Sequence, residues 1–310
     1  MTSASKIFTL ISVVLISLFY FLEEISIEQQ LLILSPLILL LGLPHGAIDN
    51  ILFLEKNKVK QIPFYTIYSL IIILNIIIWL LNEQLGYLIF MFISAYHFGQ
   101  SQFTQYFNKY NLQHKILFFF WGSTILSAMI YFKYDTLNFI NNNYSEFYGL
   151  SSLQEPTLMK TIFFISLIIT IISKFILLFQ NKLKFEELLV EFLILLTVLI
   201  SFYQLPLLVG FTLYFVILHS FKVLYEEYQY LQKSEAIKNI AGFIKLLSPL
   251  TLLSLIGIAI LYFSIELSLL KMSYGYLLIL IISSITLPHI FVMERFYNKL
   301  FNSNTTVAKN

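Results

Sequence analysis

The feature that most restricts the fold is a succession of apolar runs, each close to the roughly 20 residues that cross a bilayer. Ten are expected, at residues 7–22, 29–54, 64–81, 85–107, 115–132, 158–179, 185–202, 205–225, 240–263 and 273–297. Lipid offers backbone groups no hydrogen-bond partner, so such runs must be helical. The expected fold is therefore all-α, a polytopic transmembrane bundle of about ten spans forming a single domain over residues 1–310. Charged residues make up only 12% of the chain, against about a quarter in soluble proteins, which leaves no stretch for a soluble domain. The first run looks like a signal peptide, but Phe21-Leu22-Glu23-Glu24 lacks a small-residue cleavage pattern, so it is read as a span. Cysteine is absent, which excludes disulfides, a thiolate nucleophile and cysteine-ligated clusters. A formal charge of +2 with no basic patch gives no sign of a nucleic-acid partner.

Cytoplasmic loops of membrane proteins carry an excess of Lys and Arg. With the N-terminus inside, the cytoplasmic set holds Lys6, Lys56, Lys58, Lys60, Lys109, Lys115, Lys182, Lys184, Lys222, Lys233, Lys238, Lys245, Arg295, Lys299 and Lys309. The other side keeps only Lys133, Lys160 and Lys271. An even number of spans with both termini cytoplasmic is expected. Lys174 falls within a span and is expected to snorkel to the surface. The loop at 133–157 is expected outside, on the interface.

Four of the five histidines lie inside apolar segments: His45 in Leu43-Pro44-His45-Gly46-Ala47-Ile48-Asp49, His97 in Tyr96-His97-Phe98-Gly99-Gln100, His219 before Ser220, and His289 in Leu287-Pro288-His289. Ionisable groups within a membrane are functional candidates. All four sit on spans that run in the same direction. Their offsets from the outer ends differ by four residues at most, roughly 6 Å at about 1.5 Å rise per residue. Each could hydrogen-bond a neighbouring helix separately. A common depth instead favours one metal held by His45, His97, His219 and His289; imidazole suits iron, copper and zinc alike. Pro44 and Pro288 kink their helices, and Gly46 and Gly99 allow close helix approach. Asp49, four residues after His45, is expected to face the site or serve a neighbouring ligand, with Gln100 and Ser220 beside it. Glu294 is expected to pair with Arg295, and His114 reads as a solvated loop residue. Tyr96, Phe98, Phe103, Tyr106, Phe211, Tyr214 and Phe215 follow two of the histidine helices. Any one of these rings suits ordinary packing; as a group they suit a lipid-accessible tunnel for a long, flat substrate. The rings expected to line that tunnel are Tyr96, Phe98, Phe103, Tyr214 and Phe215.

At these residues the chain resembles the Brp/Blh family of membrane β-carotene 15,15′-dioxygenases, bacterial and archaeal enzymes that supply retinal to rhodopsins. The resemblance rests on Pro44-His45-Gly46-Ala47-Ile48-Asp49, Tyr96-His97-Phe98-Gly99, His219-Ser220 and Pro288-His289, in that order. It implies an Fe(II) enzyme of the inner (cytoplasmic) membrane, with the four matching histidines as iron ligands. It also implies the substrates β-carotene and O₂, two all-trans-retinal products, and delivery of retinal to a rhodopsin. Many relatives carry a carboxylate directly after His-Phe-Gly; Gln100 stands there in this chain, so no acidic role carries over. Four neutral ligands leave the metal its full charge and can leave a position open for O₂. The competing readings are another non-haem metal oxygenase acting on a lipidic polyene, a haem cytochrome, a di-iron desaturase and a transporter. A cytochrome would pair histidines a leaflet apart. A desaturase would carry about eight in boxes, and a transporter would carry more acidic groups in its spans.

Overall fold

The computed structural model describes residues 2–22, 25–54, 61–107 and 110–307, with side chains for all of these except Leu43 and 299–307. Among the described residues the chain is helical, without strands. The helices in chain order are α1 (Ser3–Phe21), α2 (Ile27–Leu37), α3 (Asp49–Leu54), α4 (Gln61–Leu81), α5 (Glu83–Phe103), α6 (Leu112–Phe132) and α7 (Tyr134–Asn143). They continue with α8 (Pro156–Phe179), α9 (Phe185–Gln204), α10 (Leu207–Thr212), α11 (Phe221–Lys233), α12 (Ile240–Glu266) and α13 (Tyr274–Val307). Their starts follow local capping chemistry. Ser26 and Gln29 form a reciprocal capping box at α2, Asn82 accepts the Leu85 amide at 2.9 Å, and Asn239 accepts the Gly242 amide at 3.0 Å.

Eight helices or helix runs are long and apolar enough to cross a membrane, which marks a membrane protein. The other two expected spans, 85–107 and 185–202, fold as α5 and α9 but are more polar. Helix α5 carries His97, Gln100, Ser101 and Gln102 in its second half, and α9 carries Glu186, Glu187 and Glu191. The loop at 133–157 is largely helical: α7 is followed by a 3-10 segment, Ser145–Leu150. Of the expected cytoplasmic cations, Lys56, Lys58, Lys60, Lys109 and Lys309 lie outside the described residues.

The central packing is between α5 and α6, which meet backbone to backbone. A Cβ on Gly99 would come within 1.8 Å of the Phe118 carbonyl oxygen, and one on Gly122 within 1.9 Å of that of Ala95. Only glycine permits this approach. Gly46 has ordinary contacts instead, the nearest being His289 at 3.6 Å. Helix α12 lies at the other extreme. Its only buried residue is Phe243 near its start, so lipid is its main neighbour.

The histidine-bearing segments depart from regular α geometry. After α2 the chain widens into a π turn, Ile38–Gly42, then tightens into a 3-10 turn, Leu43–Gly46, around Pro44. After α10 a π segment, Leu213–Ser220, ends on His219 and Ser220. Such departures shift the hydrogen-bond ladder by a residue and recur at functional sites. The Ser220 hydroxyl donates to the Phe215 carbonyl at 2.8 Å. Helix α13 runs on through Pro288.

Two lysines do not behave as expected. Lys174 does not snorkel: it is fully buried, donates to the Glu191 carbonyl at 3.4 Å, and lies over the rings of Phe103 and Phe192. Lys222, counted on the cytoplasmic side, is also buried and donates to the carbonyls of Ser101 and Gln102. These carbonyls close the last turn of α5 and need a donor.

Candidate metal centre

The four membrane histidines come together, each from a different part of the chain. His45 stands on the 3-10 turn after α2, His97 on α5, His219 at the end of the π segment and His289 on α13, just after Pro288. All are buried. Their rings form a closed circuit: centroids are 4.8 Å apart for His45–His289, 5.1 Å for His289–His97, 4.8 Å for His97–His219 and 5.3 Å for His219–His45. Each of these four pairs meets edge to face. Potential ligand atoms of His45, His97 and His289 lie within 4.8 Å of one another, and His219 flanks this trio.

Hydrogen bonding sorts the ring nitrogens. His289 Nδ1 lies 2.9 and 3.0 Å from the two Asp49 carboxylate oxygens, and Asp49 also accepts the Tyr68 hydroxyl at 2.8 Å. His45 Nδ1 bonds the Gly42 carbonyl, and His219 Nδ1 lies 2.9 Å from the Ser101 hydroxyl. With Nδ1 occupied on three rings, the buried Nε2 atoms of His219 and His289 have no hydrogen-bond partner among the described residues, and neither ring nitrogen of His97 has one. Buried polar atoms without partners are rare and costly. Several of them aimed into one cluster of neutral imidazoles fit a transition-metal ion, whose histidine ligands give their second N–H to a carboxylate or carbonyl. No thiolate competes, since the chain has no cysteine.

The expected neighbours divide. Asp49 serves His289 rather than His45. Gln100 makes no hydrogen bond to a histidine among the described residues; its amide donates to Glu294 at 2.6 Å. Ser220 serves the π segment. Glu294 does not pair with Arg295. It receives Tyr96 at 2.9 Å and Lys115 at 2.9 Å as well as Gln100, while Arg295 lies over the Phe53 ring. Glu294 thereby ties α13, five residues beyond His289, to both sides of His97 on α5. His114 is not solvated: it is buried, caps α6 with Asn111 and stacks on Phe107 at 4.0 Å. Ser101 was missed, since nothing in one sequence signals that α5 meets His219 there. The buried carboxylates Glu191 and Glu227 were missed too. Glu191 accepts Gln102 and Tyr106, whereas Glu227 has neither oxygen hydrogen-bonded among the described residues.

A cavity of about 1100 Å³ has Leu39, Phe98, Phe211, Leu255 and Ile282 among its mostly apolar walls, and none of the four histidines lines it. Phe98 also packs edge-on against His219 at 4.9 Å, so one side chain belongs to both. A second cavity, of about 260 Å³, meets Pro44, Gly46, Asp49, Tyr68 and Ile285. Leu39 and Leu255 line both. Of the five expected tunnel residues, Phe98 lines the large cavity. The other four line neither: Tyr96 bonds Glu294, Phe103 packs on Phe118 and Trp121, Tyr214 packs among Phe98, Trp121 and Phe202, and Phe215 stacks between Phe211 and His219.

A family model described as beta-carotene 15,15′-dioxygenase matches residues 36–297. No curated protein matches the chain, and no solved structure does.

Proposed function

The chain belongs to the β-carotene 15,15′-dioxygenase family of oxidoreductases, and from that premise we propose that it cleaves the central double bond of β-carotene with O₂ to give two all-trans-retinal molecules. The observation that carries this reading is the ring of four buried imidazoles, with Phe98 packed between His219 and a large apolar cavity. In this reading His45, His97, His219 and His289 hold one Fe(II), with Asp49 and Ser101 orienting two of them. Bound iron would supply activation of O₂ at an open position.

The protein's own part is positional. The Asp49 carboxylate fixes the His289 ring, the Gly42 carbonyl fixes His45, and Ser101 fixes His219. Phe98 and Phe211 offer flat apolar surface to a polyene. Holding the scissile bond beside the metal removes much of the entropic barrier. The carbon–carbon double bond breaks, each half takes one oxygen atom, and no proton is gained or lost overall, so no general base is required. The enzyme would act as a single domain in the inner (cytoplasmic) membrane, with ten spans once α5 and α9 are included. Both termini would be cytoplasmic, and the retinal would pass to a rhodopsin.

The deciding experiment is expression in a β-carotene-producing bacterial host, followed by chromatography. Loss of orange colour with retinal accumulation is expected, and the purified protein should hold about one non-haem iron per chain. Unchanged carotene, a haem absorbance or zinc alone would overturn the reading.

A further inference from the structure

One residue of α5 is gripped twice from a single helix face. The Ser101 hydroxyl lies 2.9 Å from His219 Nδ1. The Ser101 carbonyl accepts the Lys222 ammonium, which also donates to the Gln102 carbonyl at 2.8 Å. His219 and Lys222 are three residues apart, so they share that face. The Ser101 hydroxyl has one hydrogen and donates it to the Phe98 carbonyl at 3.0 Å. His219 Nδ1 is therefore the donor in its contact with Ser101. The lone pair of the imidazole then stays on Nε2, the nitrogen without a hydrogen-bond partner among the described residues. The direction of the Ser101 side chain thus decides which nitrogen His219 offers to an ion.

Lys222 belongs to a larger group. Its ammonium is 3.8 Å from the Glu226 carboxylate, one turn further along α11. Glu226 also accepts the Tyr297 hydroxyl of α13 at 3.1 Å. The Thr104 hydroxyl, just past α5, is shared between Glu226 and the Ser101 carbonyl at 3.2 Å each. Ser101 stands four residues after His97, Lys222 three after His219 and Tyr297 eight after His289. The group therefore joins three histidine-bearing segments one to two turns beyond their histidines. Lys222, Thr104 and Tyr297 are enclosed, at 4%, 5% and 0% exposure. Desolvation offsets much of the attraction in a buried ion pair, so stability alone does not account for this one.

We propose that Lys222 and Glu226 are positioning residues of the metal centre: together they hold the Ser101 turn against His219 and tie to it α13, which carries His289. This rests on the four-histidine reading above and adds two residues that touch neither the ion nor the substrate. Lys222 fixes the backbone of Ser101, Ser101 fixes the His219 ring, and Glu226 sets the distance from both to α13.

The test uses the metal-free full chain in detergent, titrated with Co(II) against a chelator. The visible ligand-field bands of the loaded protein are recorded at saturation, and the thermal midpoint of the metal-free protein is measured alongside. In K222M/E226M, which removes both charges together so that neither is left buried alone, Co(II) affinity should fall about 10- to 100-fold, as loss of a ligand's outer support commonly causes. The saturated bands should shift and change intensity, because His219 no longer meets the ion at the same angle, while the metal-free midpoint stays close to wild type. If the double variant does not fold, Tyr297→Phe removes only the arm to α13. It should weaken Co(II) about two- to tenfold, the size of one net hydrogen bond, with a smaller band shift. Wild-type bands at saturation in these variants, whether or not the midpoint falls, overturn the positioning role and leave the metal centre intact. A wild-type chain that takes up no Co(II) overturns the four-histidine reading, and the positioning role with it.

Discussion

At the scale of single residues, the centre is a contrast between what holds a ring and what the ring could hold. Alanine at His45, His97, His219 or His289 should remove most bound iron and most retinal formation. Normal iron content in any one variant would take that histidine out of the ligand set. Asp49→Ala should weaken iron about 10- to 100-fold, as loss of a ligand's hydrogen-bond partner commonly does, and Asp49→Asn less, because the amide oxygen still accepts from His289. Chelator competition measures both. Glu294→Gln should retain iron but lower kcat more than it raises KM, since Glu294 ties the histidine helices α5 and α13 together through Tyr96 and Gln100; equal iron and unchanged kcat would reduce it to a surface ion pair. The four histidines were legible because an imidazole in an apolar run has no local reason to be there. Asp49 was legible by its helical spacing, but its real partner lies 240 residues away. Glu294 and His114 were misread for the same reason in reverse: their sequence neighbours, Arg295 and Lys115, are not their partners in space.

At the scale of helices, the starts of the long helices fall within a few residues of those expected from the sequence, since apolar length and capping residues act locally. It did not reveal which spans are central. Helix α5 is polar enough to look marginal and yet carries a ligand, while α12 is apolar all round and has almost nothing buried. In a bilayer, lipid and protein core are equally apolar, so hydropathy cannot tell one surface from the other. The α5–α6 contact makes a sharp test. Gly99→Ala places a methyl 1.8 Å from the Phe118 carbonyl, and overpacking typically costs about 1–3 kcal/mol or more. A clear fall in thermal midpoint and loss of iron are expected, both followed by fluorescence-detected melting and metal analysis. A variant with normal melting would mean that α5 and α6 do not meet as closely as Gly99 and Gly122 permit.

At the scale of the molecule, orientation rests on loop cations, and one counted lysine, Lys222, drops out of that count, while Lys174 within its span does not join it. Lys174 and Lys222 are buried among protein groups. The remaining cations still favour cytoplasmic termini. Reporter fusions after Lys182, Lys233 and Asn310 should therefore report the cytoplasm, and fusions after Leu22, Asn142 and Lys271 the opposite side. An outside signal after Lys233 would mean that the stretch from α9 to α11 does not pass through the bilayer as a helical pair.

The sparse packing of α12 has a kinetic consequence. This helix contributes Leu255, Ile258, Ala259, Tyr262 and Phe263 to the wall of the large cavity, yet Phe243 alone along its length is buried. The boundary between cavity and lipid is thus one helix thick, and the reactant reservoir is two-dimensional. The quantity that governs turnover is then the mole fraction of carotenoid among lipids rather than its amount per volume. Adding inert phospholipid at fixed total carotenoid and enzyme should slow the reaction by surface dilution, whereas adding buffer at a fixed lipid-to-carotenoid ratio should leave the rate per enzyme unchanged.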